Sequence, residues 1–275
     1  MKTEHTPQLY DGKYVSKELG KRLLEKVSHL KRKPGLAVVL VGSDPSSRIY
    51  VGAKERFGNE HGFLVSVHKF TEDVIISELL AKIEELNTDE TVDGIIVQSP
   101  LPAHLSFFEV TSLVSLGKDV DGLLPGSPYT PATARGIMSL LSWYKVELAG
   151  KRVAVLGRSK LVGIPVAECL LKADATVTVC HSKTQNLSRH TKDAEILIVA
   201  IGKPEFITKE YAGEGQVVID VGIHRGEGGL VGDVNFGEVS PLVSAITPVP
   251  GGVGPMTVLS LFENVLDSAS RSQTL

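Results

Sequence analysis

Lys151-Arg-Val-Ala-Val-Leu-Gly-Arg-Ser-Lys-Leu-Val-Gly163 decides the fold class of this chain. Its first six residues, which end in the apolar run Val153–Leu156, read as a strand. Two glycines then bracket a turn, and residues 164–172 carry helical apolar spacing. Further strands follow at Thr176-Val-Thr-Val-Cys180, Ile196-Leu-Ile-Val-Ala200 and Val217-Val-Ile-Asp220. Strands separated by helix-length segments imply βαβ units in a mainly parallel sheet.

The same alternation runs upstream. Leu19, Leu23, Val27 and Leu30 mark an amphipathic helix over 19–30, and Leu36-Ala-Val-Val-Leu-Val41 reads as a buried strand. A helix over 46–61, the strand Leu64-Val-Ser-Val-His-Lys-Phe70, a helix over 75–86 and the strand Gly94-Ile-Ile-Val-Gln98 complete that block. A Gly/Pro/Ser-rich stretch over 122–131 reads as the connection between the blocks, and 258–266 as a closing helix. The fold class is therefore α/β with two domains: an N-terminal block with a mainly parallel sheet, and a Rossmann-like block after it.

Bulk properties narrow the function. At 275 residues, 42% hydrophobic and 22% charged, with net charge −3, the chain has the composition of a globular protein. That charge gives no footprint for nucleic acid or an anionic membrane. No apolar run approaches the ~20 residues that span a bilayer, and no signal-peptide core opens the chain, so the expected location is cytoplasmic. Cys169 and Cys180 lack metal-ligand spacing and read as buried free thiols, and no metal site is expected.

The turn Gly157–Gly163 stands where a dinucleotide pyrophosphate meets backbone N–H groups and a helix N-terminus, although an ordinary strand-to-helix turn has the same outline. NAD enzymes place an acid at the end of the following strand. Here that strand runs into Cys180-His-Ser-Lys-Thr184, with no acid. Arg158, Ser182 and Lys183 offer donors suited to a 2′-phosphate, which predicts NADP. Elsewhere, Tyr50 and Lys54 share a helix face at i and i+4, a spacing that an exposed lysine beside a packed ring also satisfies. Gln98 ends its strand just before Ser-Pro-Leu-Pro102, at the sheet edge where ligands bind or where a side chain caps a turn. Lys118-Asp-Val-Asp-Gly122 has the composition of a turn. Ile246-Thr-Pro-Val-Pro-Gly-Gly-Val-Gly-Pro-Met-Thr257 holds three glycines and three prolines, either a rigid turn or main chain laid against a flat ligand.

Together, in this order, these segments resemble the bifunctional methylenetetrahydrofolate dehydrogenase/cyclohydrolase family over about residues 36–266. The motifs are Ser47-x-x-Tyr50-Val-x-x-Lys54, Val92-Asp-Gly-Ile-Ile-Val-Gln98-x-Pro-Leu-Pro102, Lys118-Asp-Val-Asp-Gly122, Gly157-Arg-Ser159 with Val162-Gly163, Cys180-His-Ser182, Asp220-Val-Gly-Ile223 and the closing Pro/Gly segment. The resemblance implies oxidation of 5,10-methylenetetrahydrofolate with NADP to the methenyl cation, then hydrolysis to 10-formyltetrahydrofolate, by a dimer. It makes Lys54 the central catalytic group with Gln98 as its partner, Tyr50 a wall of the folate site and Asp121 the pterin anchor. Ser47, Pro250, Gly251 and Gly252 would border the substrate; Gly157, Arg158, Ser159, Gly163, Ser182 and Ile223 would contact the nucleotide. Residues 1–122, completed by 256–275, become the folate domain, and 123–255 the NADP domain, with the substrate cleft expected at their junction.

Residue chemistry fits these roles. One ionised carboxylate can accept both donors of the aminopyrimidinone edge. A lysine carries protons only if burial brings its pKa well below ~10.4, and a neutral amide partner orients the amine without restoring its charge. The family reads Asp-Gly-Phe-His-Pro, a longer loop and Pro-Cys-Thr-Pro where this chain has Asp121-Gly-Leu-Leu-Pro125, a shortened link and Pro131-Ala-Thr-Ala134. Ser99 and Asn235 replace a usual leucine and aspartate. Two other readings are a monofunctional methylene-tetrahydropterin dehydrogenase and a non-catalytic nucleotide-binding regulator. Following methenyltetrahydrofolate absorbance separates the first, and NADP reduction excludes the second.

Overall fold

The computed structural model describes residues 6–274. In chain order they form β1 (Gln8–Leu9), α1 (Gly12–Ser28), β2 (Gly35–Val41), α2 (Pro45–Glu60), β3 (Leu64–Phe70), α3 (Ile76–Thr88), β4 (Gly94–Val97) and α4 (Phe107–Thr111). After the link come α5 (Ala132–Trp143), β5 (Arg152–Leu156), α6 (Gly163–Lys172), β6 (Thr176–Cys180), α7 (Leu187–Lys192), β7 (Ile196–Val199) and β8 (Val217–Asp220). The chain closes with β9 (His224–Gly226), β10 (Gly229–Val231), α8 (Phe236–Val239), β11 (Ala245–Ile246) and α9 (Val253–Thr274).

The described residues divide into two compact units. One comprises Glu18–Ala132 and the chain from Val258 onward. Its sheet has the order β3-β2-β4, and both pairings are parallel. All seven residues of β2 are buried, as the unbroken apolar run requires of a central parallel strand. Burying each such Val or Leu contributes roughly 1.5–3 kcal/mol. Residues of α9 complete this core: Phe262 is fully buried, with ring centroids 5.2 Å from Phe57 and 4.8 Å from Phe63. From Val258 onward the closing helix thus belongs to the first block, as expected.

The other unit holds the described residues up to Lys17 together with Thr133–Thr257. Its six-stranded sheet has the order β1-β11-β8-β7-β5-β6, parallel throughout. The expectation of two α/β blocks with parallel sheets matches this architecture.

The divisions fall elsewhere than the 122/123 and 255/256 boundaries read from sequence. Residues before Lys17 group with the six-stranded sheet because β1 pairs with β11, Tyr10 N donates to Ile246 O at 2.9 Å, and Tyr10 stacks on Tyr144 at 4.1 Å. Residues 123–132 stay with the first block, because the Asp119 carboxylate accepts the Leu124 N–H at 2.9 Å and Tyr129 Oη donates to Gly117 O at 2.8 Å. Helix α1 begins seven residues ahead of the apolar periodicity, and α9 extends on both sides of 258–266. The β9–β10 hairpin and α5 carry no counterpart in the sequence reading. Cys180 is buried, but Cys169 on α6 is only half-buried, because its helix face is partly open. Burial raises the pKa of both thiols.

Candidate active site and nucleotide cavity

Helix α2 starts on a built cap. The Asp44 carboxylate accepts the Ser47 N–H at 2.7 Å, and Pro45 takes the first turn, where its missing N–H costs nothing. Ser47, expected at the substrate, is buried, and its hydroxyl donates to Asp44 at 2.9 Å. Its observed work is to fix the helix start. Tyr50, 37% exposed, and Lys54 then project from the helix one turn apart.

Lys54 Nζ donates to Gln98 Oε1 at 2.8 Å, and Gln98 Nε2 donates to Ser99 O at 2.7 Å, which fixes the amide's orientation. Gln98 immediately follows β4, so the fully buried strand aims it. Burial pushes the Lys54 amine below the ordinary lysine range, with the Asp121 charge opposing. Burial likewise pushes the Asp121 carboxyl up, with Lys54 opposing. Lys54, Gln98 and Asp121 therefore form one electrostatic group on one unit.

The two acids of Lys118-Asp-Val-Asp-Gly122 divide their work. Asp119 accepts backbone N–H groups of Leu123 and Leu124 and holds the turn. Lys118 Nζ donates to Leu86 O and Asp89 O. The Asp121 side chain takes no part in those bonds and acts on Lys54 through its charge. A residue absent from the sequence reading secures this loop: fully buried Asn264 of α9 donates to Val120 O at 2.8 Å and Thr130 O at 3.0 Å. Only an unusual buried amide in an apolar helix signals it.

Pro250, Gly251 and Gly252 lie on the other unit, in the turn between β11 and α9, where Gly251 O accepts the Lys13 N–H at 2.8 Å. On that same unit, a cavity of about 320 Å³ opens at the carboxyl ends of β5, β6 and β7. It is lined by Gly157, Arg158, Ser159 and Ser182, and also by Lys203 and Phe206, which sequence reasoning missed. Their signal is their place just past a parallel strand. Gly163 and Ile223 are outside the lining; Gly163 is buried at the start of α6, and Ile223 is exposed past β8.

The turn fits a dinucleotide. Gly157 has φ of 109°, and a Cβ there would sit 2.1 Å from Ala200 O. A Cβ on Gly163 would sit 2.2 Å from Gly157 O. Only glycine lets strand, turn and helix close this tightly. Ser159 Oγ accepts the Val162 and Gly163 N–H groups, ordering the helix start. The cavity lining contains cations and hydroxyls but no carboxylate, a donor set matched to a phosphorylated nucleotide. Among the described residues, no group of three His, Cys, Asp or Glu side chains could hold a metal ion, and no helix is long and apolar enough to cross a membrane.

A parallel sheet with a glycine-bracketed turn, cations at its strand ends and a half-buried lysine–amide pair defines an α/β enzyme of the dinucleotide-binding class. Residues 10–121 match the family model described as tetrahydrofolate dehydrogenase/cyclohydrolase, catalytic domain, and residues 131–273 match its NAD(P)-binding domain. The chain belongs to the tetrahydrofolate dehydrogenase/cyclohydrolase family. The bifunctional protein FolD of Streptococcus agalactiae is 45% identical, over 98% of this chain and 99% of that protein. The crystal structure of the bifunctional enzyme FolD from Campylobacter jejuni matches with a TM-score of 0.93 and 43% identity, covering 96% of this chain and 99% of that one. The Trypanosoma brucei methylenetetrahydrofolate dehydrogenase-cyclohydrolase, complexed with NADP cofactor and inhibitor, matches with a TM-score of 0.92 and 35% identity, covering 97% and 98%.

Proposed function

We propose that this chain oxidises 5,10-methylenetetrahydrofolate to the 5,10-methenyl cation with NADP and hydrolyses that cation to 10-formyltetrahydrofolate, with Lys54, Gln98, Asp121 and Tyr50 as its chemical residues. The observation that carries this reading is the 2.8 Å contact from the Lys54 amine to a neutral amide, in a setting that disfavours the ammonium. NADP, when bound, accepts the hydride, so the protein needs no nucleophile of its own. Gly157, Arg158, Ser159 and Ser182 are the residues that would hold the nucleotide.

Asp121 accepts the adjacent N–H donors of the pterin edge, and the Tyr50 ring packs on the folate. Engaging Asp121 in this way draws its charge away from Lys54 and leaves the amine dry with only the amide beside it. An amine so placed takes one proton from water as the oxygen adds to the methenyl carbon and returns it to the pterin nitrogen released when the five-membered ring opens, while the second water proton leaves to solvent as the formyl carbonyl forms. Pro250, Gly251 and Gly252 supply main chain to the substrate, and Gly163 and Ile223 border the nucleotide. The same reading makes the enzyme a homodimer, checked by sedimentation of the purified protein, and puts it in the cytoplasm, checked by cell fractionation; the family resemblance supports both.

The test is parallel assay of both activities with NADP and NAD, on the wild type and Lys54→Met. The wild type should reduce NADP and release 10-formyltetrahydrofolate. The variant should bind folate and lose hydrolysis by at least ~10²-fold, the contribution of a general acid–base group. Accumulation of the methenyl cation by the wild type would make the enzyme a dehydrogenase alone. Full hydrolysis by Lys54→Met would remove lysine from the mechanism.

A further inference from the structure

The loop after β7 is held more firmly than a solvent loop needs. Asp233, fully buried, accepts the N–H groups of three successive residues: Ile201 at 2.7 Å, Gly202 at 3.0 Å and Lys203 at 2.8 Å. Its Oδ1 also lies 2.7 Å from His224 Nε2, so the carboxylate is itself pinned from the β9 side. Hydrogen bonds to an ionised acceptor are the strong ones, and three from consecutive residues fix a backbone. The side chain on this platform is Lys203, whose Nζ stands 5.1 Å from the centroid of the Phe206 ring. Both residues line the nucleotide cavity with Arg158, and no carboxylate shares that lining. Among the described residues Lys203 makes no ion pair. A cation ordered over an aromatic wall, with no protein counter-charge, at the carboxyl end of a parallel strand, is placed for an anion.

We infer that Lys203 is a phosphate-binding residue of the cofactor cavity, acting with Arg158 on the phosphates of the dinucleotide, and that Asp233 positions it. This rests on the assignment of the cavity to NADP. The shared ligand chemistry is a phosphate ester, and two sources exist on one molecule: the 2′-phosphate and the pyrophosphate. Prior ordering of the loop reduces the entropy lost when the lysine engages.

The experiment is calorimetric titration of the full chain, wild type, Lys203→Gln and Lys203→Arg, with 2′,5′-ADP and with 5′-AMP. Lys203 is exposed, so neither substitution disturbs the core. Lys203→Gln should weaken 2′,5′-ADP at least tenfold and flatten the dependence of its binding on salt, and Lys203→Arg should restore most of the affinity. Loss confined to 2′,5′-ADP assigns the lysine to the 2′-phosphate; equal loss for both ligands, rescued by arginine, assigns it to the 5′ side. Unchanged binding of both ligands, or a loss that arginine does not rescue, overturns the inference. If wild-type protein binds 2′,5′-ADP no better than 5′-AMP, or NADPH does not displace it, the NADP assignment itself fails. Wild-type titrations read that failure separately from the variants.

Discussion

The partner of the Lys54 amine is an amide oxygen at 2.8 Å, and the choice of amide over carboxylate sets the chemistry. Burial and the Asp121 charge pull the amine in opposite directions, and burial is the larger influence. A carboxylate in place of the amide would add a second counter-charge and favour the ammonium. Gln98→Glu is therefore expected to raise the pKa of Lys54 and move the acid limb of the hydrolysis pH profile to higher pH. Each unit of that shift removes about tenfold of the neutral amine at a given pH below the limb. Folate affinity should change little, since Gln98 is assigned to the lysine. Stopped-flow decay of the methenyl absorbance across the pH range reads the effect. A limb that stays in place or moves down would show that the amine does not titrate in the rate-limiting step.

Helix α9 closes the catalytic unit by hydrogen bonds as well as by rings. Ser268 Oγ donates to Asp93 O at 2.7 Å and Gly117 O at 3.0 Å, and Asn264 holds the carbonyls on either side of the Asp121 loop. Asn264→Leu fills the same volume and leaves both carbonyls buried without that donor, a cost of about 1–3 kcal/mol. Urea unfolding should show that loss. Folate KM should rise as Asp121 loses its support, while NADPH affinity stays at the wild-type value. A variant with unchanged KM would detach the helix from substrate binding. Such long-range bonds explain what the sequence made legible. The β2 run, the turn at Gly157 and the Tyr50/Lys54 spacing are local patterns, and they survive intact in the structure. Strands β1 and β11 have two residues each, too short for any period, and exist because each pairs with a distant neighbour. Helix α5 buries Ile137, Leu140 and Leu141 at helical spacing, a pattern that was present but hidden behind the Pro/Gly link. Asn264 and Asp233 gain their meaning only when the fold brings them to loops remote in sequence.

At the scale of the whole molecule, one buried acid makes folding stability depend on pH. Asp220 ends β8 and accepts N–H groups from Gly222, Asp233 and Val234. These bonds favour its charge, but burial and the neighbouring Asp233 outweigh them and push its pKa up to about 6. Its pKa in the unfolded chain is near 3.9. The folded state thus holds the proton more tightly, and the group stabilises the fold fully below about pH 4. That contribution is lost as pH rises through about 6. Two pKa units correspond to about 3 kcal/mol. Asp220→Asn cannot titrate, so the stability of the wild type relative to the variant should fall by about that amount between pH 3.5 and 7. Every other group titrates alike in the two proteins, so the general charging of the chain in acid cancels in their difference. Urea unfolding of both proteins at half-unit pH steps gives the difference directly, and the variant's own loss of a carboxylate acceptor cancels because it is constant with pH. A difference that grows with pH would mean that the three backbone donors, and not burial, govern this carboxyl.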